Sequence, residues 1–272
     1  MHHLVASARG ALIGDRPWAG RILSVHPRAL NILRADGLAV SVVADPASMS
    51  AMGVLAEELF ESPPDRELAS RAAGMNEGVL SLDGWATVMC ARCPAWEGRV
   101  DSAAVRLISL DAVQAMCEAL FDEGKPGGLL EVLGNGAARG AFAARARDSL
   151  ENGRPEELVG CGPGLTPAGD DFLTGAILAS PASFVHDHAR FERRLPGTTS
   201  PGRTLLWMAL RGRFPAYLVD FIDAAVAASA SREAVRSAVR AACAHGETSG
   251  TDALAGFCWQ RESITNRQPD RR

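Results

Sequence analysis

Residues Gly160 to Gly175 read Gly-Cys-Gly-Pro-Gly-Leu-Thr-Pro-Ala-Gly-Asp-Asp-Phe-Leu-Thr-Gly, and their types and spacing can do chemistry. Glycines let the backbone approach a ligand closely or take positive φ. The amides they free, with the positive end of a following helix dipole, suit an anion. Thr166 is placed to cap that helix through its hydroxyl, and Pro167 suits a first helical position, where no donor is needed. Asp170 and Asp171 then put two carboxylates into the first turn, ready for a proton or a cation. The segment is neither a Walker loop nor a dinucleotide fingerprint: no lysine follows the glycines, and the spacing is not G-x-G-x-x-G. The plain structural alternative is loop-to-helix punctuation with an acidic first turn.

A second segment has the same character. Residues 246 to 256 read Gly-Glu-Thr-Ser-Gly-Thr-Asp-Ala-Leu-Ala-Gly. Gly-x-Thr-x-x-x-Asp aligns Gly164, Thr166 and Asp170 with Gly246, Thr248 and Asp252. Thr248 or Ser249 would cap this helix, and Ser249 as cap would put Asp252 at the third position of a capping box. Between the two lies Pro196-Gly-Thr-Thr-Ser-Pro-Gly, a hydroxyl-rich turn with proline near a helix start. Three such N-termini predict one shared anion-binding cavity. Two carboxylates beside a phosphate would repel it unless one is neutral, hydrogen-bonded or metal-bound, which points to Mg²⁺ on Asp170 and Asp171.

Other residues that could do chemistry are weaker. Cys90-Ala-Arg-Cys93, within a predicted strand, is a single C-x-x-C with no second pair for zinc. His186-Asp-His188 could supply ligands only by distant convergence. Cys161 precedes the glycine turn without a local histidine base and reads as a small buried side chain. His26, on a strand, reads as a satisfied structural group, with Asn31 on or beside a strand as well. The tryptophans make no stacking stripe.

These segments need a scaffold, and 272 residues provide a full core. Short β-type runs fall at Ile22 to Val25, Leu38 to Val43 (after the turn Asp36-Gly37), Gly78 to Leu82, Ala86 to Cys90 and Ala104 to Ile108. Met52 to Phe60 reads as a helix. From Ala112 the period becomes helical: Ala112 to Phe121, Leu129 to Leu133, Ala137 to Leu150, Asp171 to Ala179, Thr204 to Arg211, Ala216 to Ala228, Arg232 to Ala244 and Asp252 to Gln260. The expected class is α+β: a β-rich, barrel- or sandwich-like half over 1–110, an all-helical half over 111–265 carrying the motifs, and a disordered tail, 266–272.

A net charge of −4, without a basic cluster interleaved with aromatics, argues against nucleic acid. Lys125 is the one lysine among 28 basic side chains, a bias typical of a GC-rich bacterial genome. The six cysteines lack a disulfide framework. With no apolar run of signal-peptide or membrane-spanning length, the expected setting is the cytoplasm.

Gly-x-Gly-Pro-Gly-Leu-Thr-Pro-x-Gly-Asp-Asp-Phe-Leu-x-Gly, followed by Thr-Ser-Gly-x-Asp-x-Leu-x-Gly, resembles the AllH family. Thr198-Thr199, the stretch Leu205 to Gly212 and the upstream Ser24-Val-His-Pro-Arg-Ala-Leu-Asn-Ile-Leu are similar to it as well. Ala168 departs from an expected serine, and Pro201-Gly202 from another. The family, which also carries a carboxylase label, includes a subunit of oxamate carbamoyltransferase in anaerobic allantoin breakdown. The resemblance implies a carbamoyltransferase subunit working with an FdrA-like chain and a second partner, on phosphate, carbamoyl phosphate or an oxamate-like acid. Gly162, Gly164, Leu165 and Thr166 would bind the anion, and Asp170 or Asp171 would orient or deprotonate a nitrogen nucleophile. Thr248, Ser249, Gly250 and Asp252 would form the opposite wall, with Thr198 and Thr199 between. The alternatives are a non-catalytic subunit of the same assembly and an ATP-dependent carboxylase. The second lacks a biotin-attachment motif and a nucleotide loop.

Overall fold

The computed structural model describes residues 2–14, 16–134, 140–180, 188–227 and 231–266. It divides into two compact units, Met1–Gly98 and Arg99–Arg272. His186, the 137–139 part of the expected helix and the 267–272 part of the expected tail lie outside the described residues.

The first unit is one ten-stranded sheet. Its strands are β1 (His2–Val5), β2 (Ala8–Gly10), β3 (Trp18–His26), β4 (Ala29–Arg34), β5 (Ala39–Val43), β6 (Gly53–Leu55), β7 (Ala72–Asn76), β8 (Val79–Leu82), β9 (Ala86–Met89) and β10 (Ala95–Trp96). The spatial order is β1-β9-β8-β7-β3-β4-β5-β6-β2-β10. β1 is first and β2 ninth in that order of ten, yet only Ala6 and Ser7 separate them in sequence. Two residues bridge such a gap only if the sheet curls back on itself. The Ala6 amide donates to Met89 O at 2.9 Å and the Ser7 amide to Leu55 O at 2.8 Å, so adjacent residues hold strands far apart in that order. Ile22, Leu30, Ile32, Val40, Val42, Leu80 and Val88 are fully buried in this unit. Met52 to Phe60, expected as a helix, is instead β6 followed by a 3₁₀ turn, Glu57–Phe60. Gly53 and the parallel pairing of Val54 with Val42 draw this apolar run into the sheet.

In the second unit the described helices are α1 (Ser102–Leu107), α2 (Leu110–Glu123), α3 (Ala141–Glu151), α4 (Ala168–Ala179), α5 (His188–Arg194), α6 (Ser200–Ala209), α7 (Ala216–Ala227), α8 (Arg232–Cys243) and α9 (Ser249–Asn266). The expected strand Ala104 to Ile108 is α1. Asp101 caps it by accepting from the Ala103 amide at 2.8 Å, a signal that outweighs the short apolar run. Cys90 and Cys93 lie beyond β9 rather than within it, and the Cys93 thiol donates to Cys90 O at 3.1 Å. All twelve residues of α4 are buried, its two aspartates included, so it is the central helix. Among the described residues no helix is long and apolar enough to cross a membrane.

Candidate functional site

The three hydroxyl- and glycine-rich segments meet. Thr166 Oγ1 lies 3.2 Å from Ser249 Oγ, joining the glycine turn to the start of α9. Thr199 Oγ1 donates to Leu165 O, joining the turn to α6. Thr198 Oγ1 donates to Asp170 Oδ2 at 2.5 Å. Thr199 also caps α6, accepting from the Gly202 amide at 3.0 Å, so one hydroxyl fixes both the helix start and the turn beside it.

Local chemistry departs from the expected capping at both motif helices. Pro167, not Thr166, occupies the cap position of α4, and no side chain caps it. The first amides of α4 bond inward: Gly169 N donates to Cys161 O and Asp170 N to Pro167 O, both at 2.8 Å. Gly162 and Gly164 sit at φ 111° and 98°, outside the range other residues favour. The amides of Gly162, Gly164, Leu165 and Thr166 have no acceptor among the described residues. Pro163, Gly164 and Leu165 are exposed, so these donors are open to a ligand. Ser249 lies inside α9, and the Asp252 amide donates to Thr248 O at 2.8 Å; Thr248 is thus the capping residue, and the Ser249 capping box does not form. Gly250 packs against the Ala242 carbonyl, where a Cβ would lie 1.9 Å from the oxygen. Cys161 is half-buried, donates to Glu157 O at 3.2 Å, and burial raises its pKa, so it is a poor nucleophile.

Below the turn lie three buried aspartates with different surroundings. Asp170 accepts from the Gly160 amide at 2.8 Å through Oδ1 and from Thr198 through Oδ2. Burial outweighs these bonds and pushes its pKa up to about 6. Asp252 accepts from the Leu129 amide at 2.5 Å through Oδ1 and is likewise pushed by burial to about 6, against the Leu129 and Thr248 bonds. Asp171 is 2 % exposed, and burial raises it well above the ordinary carboxylate range. The Ser249 and Thr166 hydroxyls oppose that rise, while the charges of Asp252 and Asp170 add to it. Asp171 Oδ2 and Asp252 Oδ2 are both buried without a hydrogen-bond partner.

Helix packing sets the register of these carboxylates. A Cβ on Gly175 would lie 1.7 Å from Ala253 O, and one on Gly256 would lie 1.8 Å from Phe172 O. The contact is reciprocal and pairs Asp171-Phe-Leu-Thr-Gly175 with Asp252-Ala-Leu-Ala-Gly256. The structural counterpart of Asp252 is therefore Asp171, one residue beyond the Asp170 that the Gly-x-Thr-x-x-x-Asp alignment chose. Two further glycines hold the acids from the side. A Cβ on Gly202 would meet Asp170 Oδ2 at 2.1 Å, and one on Gly128 would meet Asp252 Oδ1 at 2.0 Å.

Tyr217 escaped the sequence reading. It is the chain's one tyrosine, which was the available signal, and it is buried in α7. Its ring stacks on His245 at 4.0 Å and 11°. The charges of Asp171 and Asp252 reinforce burial in raising the pKa of its phenol, so it lies within electrostatic reach of both acids. The single lysine is structural: Lys125 Nζ donates to Gly246 O at 2.7 Å and Ala244 O at 3.3 Å, fastening the turn before α9. His26, in the other unit, lies 3.1 Å from Ser24 Oγ, which also accepts from Asn31 at 3.0 Å.

Among the described residues, no three His, Cys, Asp or Glu side chains converge to hold a metal ion. Asp170 directs both oxygens at protein donors, so Asp170 and Asp171 do not fit the Mg²⁺ site expected of them.

Residues 158–260 match the AllH family model, described as oxamate carbamoyltransferase subunit AllH. The matched stretch contains the whole of α4 and α6, both glycine motifs and all three buried aspartates. No curated protein and no solved structure matches the chain.

Proposed function

From a chain that carries the AllH domain over 158–260, we propose a subunit of an oxamate carbamoyltransferase-like assembly whose Gly160–Thr166 turn receives phosphate or the phosphate of carbamoyl phosphate. The observation that carries this reading is the meeting of all three motif segments around one turn in which the amides of Gly162, Gly164, Leu165 and Thr166 have no acceptor among the described residues. Backbone N–H groups in such a concavity bind anions without a cationic side chain.

Carbamoyl transfer joins the acceptor nitrogen to the carbamoyl carbon, breaks the bond from that carbon to the phosphate oxygen, and frees a proton from nitrogen. The turn would hold the phosphate, the Thr166 and Ser249 hydroxyls would border the reacting group, and Asp171 with Asp252 would manage the proton. Asp170 acts indirectly in this reading: with both oxygens bound to Gly160 and Thr198, it positions the turn. A subunit implies partners, and an FdrA-like chain with a second partner remains the proposed setting.

The test is a thermal-shift titration of the purified chain with phosphate, carbamoyl phosphate and oxamate, repeated with Thr166→Val. Saturable stabilisation by phosphate and carbamoyl phosphate that weakens about tenfold in affinity in the variant supports the site. Stabilisation identical in both proteins would remove the Thr166 hydroxyl from the site, and no stabilisation by either phosphate compound would remove the turn.

A further inference from the structure

Three carboxylates share this buried cluster, and the one lysine nearby is turned toward the carbonyls of Ala244 and Gly246. A fully ionised cluster would bury three negative charges with no cation bonded to them among the described residues, at a large desolvation cost. Asp170 is relieved by two donors. Asp171 and Asp252 each keep a buried oxygen with no partner, the pattern left when a hydrogen is required and protein donors do not supply it. Both acids are sealed from bulk solvent, at 2 % and 0 % exposure.

The groups facing this pair are few. Asp170 lies on the same helix, Tyr217 lies within electrostatic reach of both acids from α7 with His245 stacked on its ring, and the Thr166 and Ser249 hydroxyls cover Asp171. Of these, the two hydroxyls are half-buried and belong to the turn and the α9 start, so they span from the sealed acid to the open amides.

We propose that Asp171 and Asp252 hold one proton between them at neutral pH, and that the Thr166–Ser249 hydroxyl pair is the path by which it exchanges with the ligand side of the glycine turn. The proposal deepens the anion-site reading and takes its functional meaning from it. With one proton held and one carboxylate vacant, the pair can accept a proton from an attacking nitrogen and return one to a departing oxygen without net change. Thr166 and Ser249 are then the groups that touch substrate, and Asp171 works through them.

Infrared spectroscopy of the ligand-free protein tests this without any assumption about substrate. At about pH 7.5, groups titrating near 6 are ionised, so the pair should contribute one un-ionised carboxyl C=O band. The band should vanish in Asp171→Asn. Its absence from the unaltered protein, or its survival in Asp171→Asn, overturns the shared proton. On transfer to deuterated water the band's isotope shift should develop at least tenfold more slowly in Thr166→Val/Ser249→Ala. Exchange at the unaltered rate overturns the hydroxyl path. The measurement on the unaltered protein stands even if Asp171→Asn fails to fold. Failure of phosphate to bind would instead count against the anion site alone.

Discussion

Gly175→Ala tests the helix crossing that places the two acids. The new Cβ would lie 1.7 Å from Ala253 O, where non-bonded carbon and oxygen need about 3.2 Å. Both partners are backbone in buried helices, so neither rotates away, and α4 must part from α9 by about 1.5 Å. A gap of 0.5–1 Å already forfeits a quarter to a half of each contact's attraction. Phe172, Ala176, Ala253 and Phe257 are all fully buried around this crossing and would lose contacts together. The loss should be comparable with emptying a large side chain from a core, roughly 4 kcal/mol, less about 1 kcal/mol gained from replacing glycine inside a helix. The net expectation is about 3 kcal/mol of destabilisation. Gly256→Ala, with its 1.8 Å approach to Phe172 O, should match it. Because one separation relieves both clashes, the double variant should fall short of the sum by at least about 1 kcal/mol. Urea unfolding followed by Trp259 fluorescence reads the interface directly, since its ring lies 6.0 Å from Phe172. Gly197→Ala, with open space around its Cβ, is the neutral control. A Gly175→Ala protein within about 0.5 kcal/mol of the unaltered one would refute the crossing and the register drawn from it.

Two further outcomes follow from the same site. Asp170 and Asp252 titrate near 6 when folded, against about 3.9 when unfolded, so the native state binds the extra protons between those values. Their contribution is therefore fully present below the unfolded value and is lost as pH rises through about 6, by up to about 3 kcal/mol per group. Denaturant unfolding should show a more stable helical unit at about pH 5 than at about pH 7, with a smaller difference in Asp170→Asn; stability that climbs across that interval would contradict the burial of these acids. Lys125→Met removes both bonds from Nζ to the turn before α9 and should cost about 1 kcal/mol while weakening phosphate binding through Ser249. Calorimetric binding equal to that of the unaltered protein would confine Lys125 to a surface role.

What the sequence disclosed was mostly local. The Asp36-Gly37 turn is readable because glycine takes the positive φ of 83° that the hairpin needs. The structure adds caps at Ser109 and Ser231 for α2 and α8 that the apolar period alone did not reveal, with each hydroxyl accepting from the amide three residues on. The α1 error shows local signals in competition: Val105 and Ile108 favour a strand, and Asp101 settles the matter by capping. β1, β2 and β10 are two to four residues long, below any periodicity, and exist only through pairings with distant strands. In the site, residue types were legible and partnerships were not. Thr198 lies 28 positions from Asp170, and Ser249 lies 83 from Thr166. Tyr217 joins the cluster by tertiary packing alone.

The two motifs carry a packing code and a chemical code in the same residues, which explains why their alignment by hydroxyls and their alignment by helices differ by one position. The threonines Thr166 and Thr248 align Asp170 with Asp252 by residue type, although the cap of α4 is Pro167 and, counted from the helix starts, Asp171 is the equivalent of Asp252. Gly175 and Gly256 mark where the helices cross, and from them Asp171 and Asp252 are equivalent. The doubled Asp170-Asp171 satisfies both requirements at once: one acid anchors the turn through Gly160 and Thr198, and the other faces Asp252. The second motif has a single acid, so Asp252 must serve both, and its oxygens divide accordingly, Oδ1 on the Leu129 amide and Oδ2 left without a partner. An anchoring acid and a proton-holding acid should respond differently to the same change. Asp170→Asn keeps a side chain that can still accept from Gly160, so the turn should survive it. Asp171→Asn leaves the packing of α4 intact and removes the proton site, and that separation is what makes the chemistry testable apart from the fold.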